Sequence, residues 1–206
     1  MNKQLIQELL ESEISLVAVT KNHTKEEVDQ LAKLGCTTFG ENRVQEFLTK
    51  YDPNYSWHII GHLQTNKVKY IIGKVDVIES LDSKKLAKEI NKYAKKNDLI
   101  QDVFVEVKIS KTDTNKTGVA YEEVFPFLKE IQEYEHIRVK GLMTIATNTD
   151  DKAILKEEFS QMKELYKNAK SLYPDITTLS MGMSADWNLA IRYGSNQVRI
   201  GSALFE

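Results

Sequence analysis

Short apolar runs alternate along this chain with longer segments in which lysine and glutamate punctuate a helical spacing of leucine and isoleucine. The candidate strands are Leu16 to Lys21, Cys36 to Gly40, Ser56 to Leu63, Val75 to Ser80, Asp102 to Ile109, Val139 to Ile145, Thr177 to Met181 and Val198 to Leu204. Helical patterns fill the gaps: Lys25 to Leu34, Arg43 to Lys50, Gln64 to Ile71, Ser83 to Lys96, Tyr121 to Tyr134, Asp151 to Leu172 and Ala185 to Tyr193. An earlier amphipathic stretch carries Leu5, Leu9 and Leu10. Strict alternation calls for a parallel sheet covered by helices, because each parallel connection must cross over a face of the sheet. Eight units predict an α/β fold closed into a single (β/α)8 TIM barrel over residues 1–206, near the short end of that fold's range. The rival open sheet would usually carry a glycine-rich first turn, and the first turn here is Lys21-Asn22-His23-Thr24. No Pro/Gly/Ser-rich linker or composition break divides the chain, which predicts one domain.

Charge and cysteine content narrow the classes of partner. With 28 basic and 30 acidic residues, the chain has no global attraction for nucleic acid or an anionic membrane, so any anion must be held by a local site. Cys36 is the only cysteine, which excludes an internal disulfide and a thiolate zinc centre and fits a reducing cytoplasm. The opening residues lack the continuous apolar core of a signal peptide, and no run is long enough to span a bilayer. A cytoplasmic location is expected.

Barrels of this kind place their chemistry at the carboxyl ends of the strands. The first strand, LVAVTK, delivers Lys21 there, and a lysine beside apolar walls is a candidate amine nucleophile for carbonyl carbons. The alternative is that Thr20 and Lys21 only mark where the chain leaves the core. Phosphate sites of barrels often use the loops after strands seven and eight, which here are SMGMSADW and RIGSALF. Gly182, Gly201 and Ser202 offer unhindered amides and a hydroxyl, and Ser184 is placed to cap a helix starting at Ala185. His58 and His62 share one face of strand three, with Trp57 and Ile59 on the other. No third ligand stands at a spacing typical of a metal site, so partners in the barrel are expected for these histidines. Asn42 follows strand two and is also placed to cap the next helix. Lys116-Thr117-Gly118 lacks the preceding glycines of a phosphate loop and is expected to be a turn.

Taken in order, LVAVTK, FGENRVQE, WHIIGHLQTNK, LSMGMSADW and VRIGSALF resemble the YggS/PROSC family of pyridoxal phosphate (PLP) homeostasis proteins over roughly Leu16 to Phe205. The resemblance implies a barrel like the N-terminal domain of alanine racemase, with PLP on Lys21 as an internal aldimine. It further implies Asn42, His62 and Met143 around the pyridine ring, Ser180 and the Gly201-Ser202 turn at the phosphate, and Arg199 near the ring nitrogen. A structural alternative for Arg199 is a barrel carboxylate such as Glu41. Lys108 stands where relatives usually carry asparagine, the N-terminal helix is short, and the sequence ends at Glu206 where relatives continue. The function implied is a monomeric PLP carrier supplying apo PLP-dependent enzymes with little turnover. An amino-acid racemase is the alternative; alanine racemase takes its second proton-transfer group, a tyrosine, from a separate domain. A barrel that binds a phosphorylated anion without an aldimine is a third class.

Overall fold

The computed structural model describes residues 1–110 and 117–206, so Lys116 of the expected turn lies outside the described residues. Its strands are β1 (Ser15–Val19), β2 (Thr38–Glu41), β3 (Ser56–Ile59), β4 (Val77–Leu81), β5 (Gln101–Lys108), β6 (Val119–Ala120), β7 (Ile137–Thr144), β8 (Thr178–Ser180) and β9 (Gln197–Ile200). All pairings are parallel, and the order β1-β2-β3-β4-β5-β7-β8-β9 returns to β1, which closes the ring. Among the described residues, the two-residue β6 pairs only with β5 and stands outside the ring. Each predicted strand therefore has its counterpart, and the (β/α)8 barrel expected from the alternation is the fold observed.

The helices are α1 (Lys3–Glu11), α2 (Lys25–Lys33), α3 (Val44–Lys50), α4 (Lys84–Lys96), α5 (Val124–Ile131), α6 (Lys152–Leu172), α7 (Trp187–Arg192) and α8 (Ser202–Phe205). Local chemistry accounts for several starts. Thr24 and Glu27 form a reciprocal capping box on α2, Ser83 caps α4 through the Leu86 amide, and Asp151 caps α6 through the Ala153 amide. Gln64 to Ile71 was expected as a helix and is instead mostly a 3-10 helix, Thr65–Tyr70. The last strand also ends sooner than its apolar pattern suggests. Pairing with β1 runs only to Ile200, after which Gly201 turns the chain into α8, so Leu204 lies in a helix.

The main apolar core lies between strands and helices, where Phe39, Phe47 and Trp57 pack with ring centroids 5.4–5.6 Å apart. Inside the ring, Val17, Val19 and Ile60 form a small separate cluster. Gly40 makes room for it, since a Cβ there would stand 2.8 Å from Val17 and 3.1 Å from Ile60. Trp57 is fully buried, and its Nε1 donates to the Asp52 carbonyl at 3.0 Å. Trp57→Ala should therefore cost about 3–5 kcal/mol of unfolding free energy in urea titrations. Leu172→Ala, at a position 67% exposed, should stay within about 0.5 kcal/mol of the parent.

Candidate functional site

Lys21 does not stand on β1 itself. The strand ends at Val19, Thr20 is buried, and Lys21 is exposed at the next position, so the apolar wall stops short of its side chain. The Thr20 carbonyl accepts from the His23 amide at 3.0 Å, and Asn22 takes the left-handed φ of 65° that such a turn requires. The result is a tight turn with Lys21 near its apex. Glu41, at the end of β2, accepts from Thr20 Oγ1 at 2.6 Å and from Lys50 Nζ at 2.7 Å. These contacts replace the Glu41–Arg199 pairing considered from sequence.

The two glycine-bearing loops meet beside this turn. Gly201 packs on Val19, with its Cβ position 3.4 Å from the valine, and the His23 ring stacks on Phe205 at 3.4 Å between centroids. Gly182 holds a left-handed φ of +100°, and a Cβ there would stand 2.7 Å from Ala190, so this loop is tightened onto α7. Ser184 does not cap a helix at Ala185, because α7 begins only at Trp187. Its Oγ instead accepts from the amides of Gly201 at 3.3 Å and Ala203 at 3.4 Å, while Ser202 stays exposed. Two amides converging on one oxygen at such long distances are suited to a stronger acceptor, such as a phosphate oxygen.

At the end of β2, next to the Lys21 turn, Asn42 is half-buried and makes no helix cap; α3 has Arg43 at that position without a side-chain cap bond. The chain leading to His62 passes directly against it. A Cβ on Gly61 would lie 2.5 Å from the Asn42 carbonyl oxygen, so glycine is what allows the ends of β2 and β3 to approach. His62 is exposed, with Nδ1 3.1 Å from Asp82 Oδ2. Lys108 is half-buried at the end of β5.

Beneath the mouth, the barrel interior holds a polar network that sequence reasoning only partly found. Glu79 Oε1 lies 2.7 Å from His58 Nδ1 and accepts from Gln197 Nε2 at 2.8 Å, and Glu79 Oε2 accepts from Ser180 Oγ at 2.7 Å. Arg199 donates to Ser180 Oγ at 2.7 Å and to the Thr144 carbonyl at 2.8 Å. Ser180 is fully buried here, so the hydroxyl that meets the Gly201 amide belongs to Ser184. Met143 is also fully buried, in register with Ser180 and Glu106. Glu79, Gln197 and Glu106 were not singled out from sequence. For the two glutamates the signal was present, in the form of acidic residues interrupting the apolar strands VIESL and VFVEVK.

The two interior carboxylates are driven in opposite directions. Burial pushes Glu79 up, but the hydrogen bond and charge of His58, the Arg199 charge and the Ser180 hydroxyl outweigh it and hold the group below its usual range. Burial raises Glu106, with Asp82 adding to the effect and the Thr117 hydroxyl, 2.9 Å away, opposing it. Burial also draws Arg199 below its ordinary value, against the opposing charges of Glu79, Asp186 and Glu106. A lowered carboxylate stabilises the fold above its unfolded pKa, about 4.3, and that contribution disappears as pH falls through the folded value. A raised carboxylate does the reverse, so stability is lost as pH rises from about 4.3 through the folded value. Glu79→Gln should thus destabilise by about 3 kcal/mol near pH 7, with the deficit shrinking in acid. Glu106→Gln should leave stability equal or higher near neutrality, and urea melts at several pH values read both.

A model of the family described as alanine racemase, N-terminal domain, matches residues 1–206. The pyridoxal phosphate homeostasis protein of Aquifex aeolicus is 42% identical over 195 residues, covering 92% of this chain and 85% of that protein. Among solved structures, PipY of Synechococcus elongatus with PLP bound is 30% identical at a TM-score of 0.89, covering 98% of this chain and 97% of that one. An alanine racemase of Clostridium difficile in complex with cycloserine shares the fold, with a TM-score of 0.85 at 20% identity, covering 99% of this chain and 58% of the racemase. The chain belongs to the alanine racemase N-terminal domain family and, within it, groups with the pyridoxal phosphate homeostasis proteins.

Proposed function

We propose that this chain binds pyridoxal phosphate through a Schiff base on Lys21 and serves PLP homeostasis and cofactor supply, with little or no turnover. The observation that carries this reading is the contact between the Lys21 turn and the Gly201–Phe205 segment, made by Val19 against Gly201 and by His23 against Phe205. An amine and a pair of convergent amides thereby serve opposite ends of one small ligand. Ser184, Gly201, Ser202 and Ala203 hold its phosphate, with Gly182 setting the loop and Ser180 beneath. Asn42 and His62 flank the ring, Met143 lies below it, and Arg199 faces the ring nitrogen. When bound, the cofactor supplies an electrophilic aldehyde and an electron-accepting ring. A guanidinium near the nitrogen disfavours its protonation and so weakens that ring as an electron acceptor. Residues 1–206 act as one domain, as a monomer in the cytoplasm, and pass cofactor to apo PLP-dependent enzymes.

Racemisation is the second reading, favoured by the shared barrel. It needs a proton-transfer group on each face of the substrate carbon. Tyr193 ends α7 and Tyr121 follows β6, so neither belongs to the loops carrying Lys21, Asn42 or Gly201.

Spectral titration followed by borohydride reduction and peptide mass spectrometry should place the adduct on Lys21, and Lys21→Ala should lose the visible band while remaining folded. An adduct mainly on Lys108 contradicts the assignment. Pyridoxal without phosphate should bind much more weakly than the phosphorylated form, and equal affinities would remove the phosphate site from these loops. Incubation with L-alanine and other L-amino acids, read by chiral chromatography, should show turnover well below about 1 per second; ordinary enzyme rates would favour the racemase.

A further inference from the structure

The turn that presents Lys21 is held from behind by one face of α3. On one side of Lys21, the Thr20 carbonyl accepts from Lys50 Nζ at 2.7 Å, in addition to the His23 amide. The same Nζ donates to Glu41 Oε1 at 2.7 Å, which also receives the Thr20 hydroxyl at 2.6 Å. On the other side of Lys21, the Asn22 amide donates to Glu46 Oε2 at 3.1 Å. Glu46 and Lys50 are four residues apart and share one helical face, with Nζ 3.9 Å from Glu46 Oε2. A single turn of helix thus grips both neighbours of the lysine.

Packing alone gives no reason for this arrangement. Lys50 is 5% exposed and Glu41 is fully buried, and the second oxygen of Glu41 has no hydrogen-bond partner among the described residues. Burying such a pair is costly in desolvation, and apolar side chains of similar volume generally serve stability as well. Val44 and Phe47 already supply the apolar contact that seats α3 on the core. What the ion pair adds is direction, because donors and acceptors on both sides of Lys21 fix the backbone from which its long flexible stem starts. Attack on an aldehyde held at the far end by phosphate contacts depends on where that stem begins.

We propose that Lys50 and Glu46 are positioning residues for Lys21, setting the turn so that its amine meets the aldehyde of a ligand anchored at Gly201 and Ala203. This inference rests on the reading that pyridoxal phosphate attaches to Lys21. Its test compares pyridoxal phosphate with pyridoxamine phosphate, which keeps the phosphate and ring but has no aldehyde for Lys21 to attack. Glu46→Ala removes the Asn22 tether without leaving a buried charge, and Lys50→Met combined with Glu41→Gln removes the ion pair as a unit.

Either variant should weaken pyridoxal phosphate binding and slow adduct formation by roughly tenfold, while pyridoxamine phosphate affinity stays within about twofold of the parent, the same selective loss expected of Lys21→Ala. Equal loss of both ligands would mean that these residues only support the fold, and no loss of either would mean that they do not position Lys21; each outcome overturns the proposal. Should the double variant fail to fold, Glu46→Ala decides alone. A parent protein whose adduct maps away from Lys21 overturns the underlying reading, whereas a parent labelled at Lys21 with indifferent variants overturns only this inference.

Discussion

Glu79 carries its charge in the middle of the strand ring, and the interior is arranged around keeping it there. Its two oxygens are met by His58 from β3, Ser180 from β8 and Gln197 from β9. The Ser180 hydroxyl donates to Glu79 and accepts from Arg199, so carboxylate and guanidinium neutralise one another through a single oxygen. A buried ion pair is tolerated only when its remaining hydrogen-bonding capacity is also satisfied, and here four strands contribute to that satisfaction. The network also constrains register. Shifting any of these strands by one residue would turn its polar side chain toward the helices and an apolar one into the ring.

This filled interior determines where a ligand can sit. The lumen is occupied by the Glu79 network and by the Val17, Val19 and Ile60 cluster, with Phe104 and Met143 also buried. Binding is therefore left to the strand ends, where the loops are short and carry the exposed groups. The two halves of the mouth differ in character. Around β8, β9 and β1 stand amides, small residues and Lys21, whereas around β3, β4 and β5 stand His62, Asp82, Glu106 and Lys108. The first side offers backbone donors and an amine, whereas the second mixes acidic and basic side chains.

This chain shares its barrel with an alanine racemase, and a shared fold does not by itself decide the chemistry. What distinguishes outcomes is the set of groups near the reacting atoms.

Much of this was legible before any coordinates. The apolar periodicity placed all eight ring strands, with ends differing from those observed by at most four residues, because strand and helix differ in a local repeat that needs no knowledge of neighbours. Lys21, Gly182 and Gly201 were likewise legible, since a strand end is recognisable from its own residues. Tertiary structure alone decided the partners. Ser184 serves the amides of Gly201 and Ala203 rather than its own helix, Glu41 meets Lys50 rather than Arg199, and Glu79 bonds to Ser180 and Gln197, 101 and 118 residues away. A sequence pattern tells which face of an element a side chain occupies, but only closure of the ring determines which distant side chain shares that face with it.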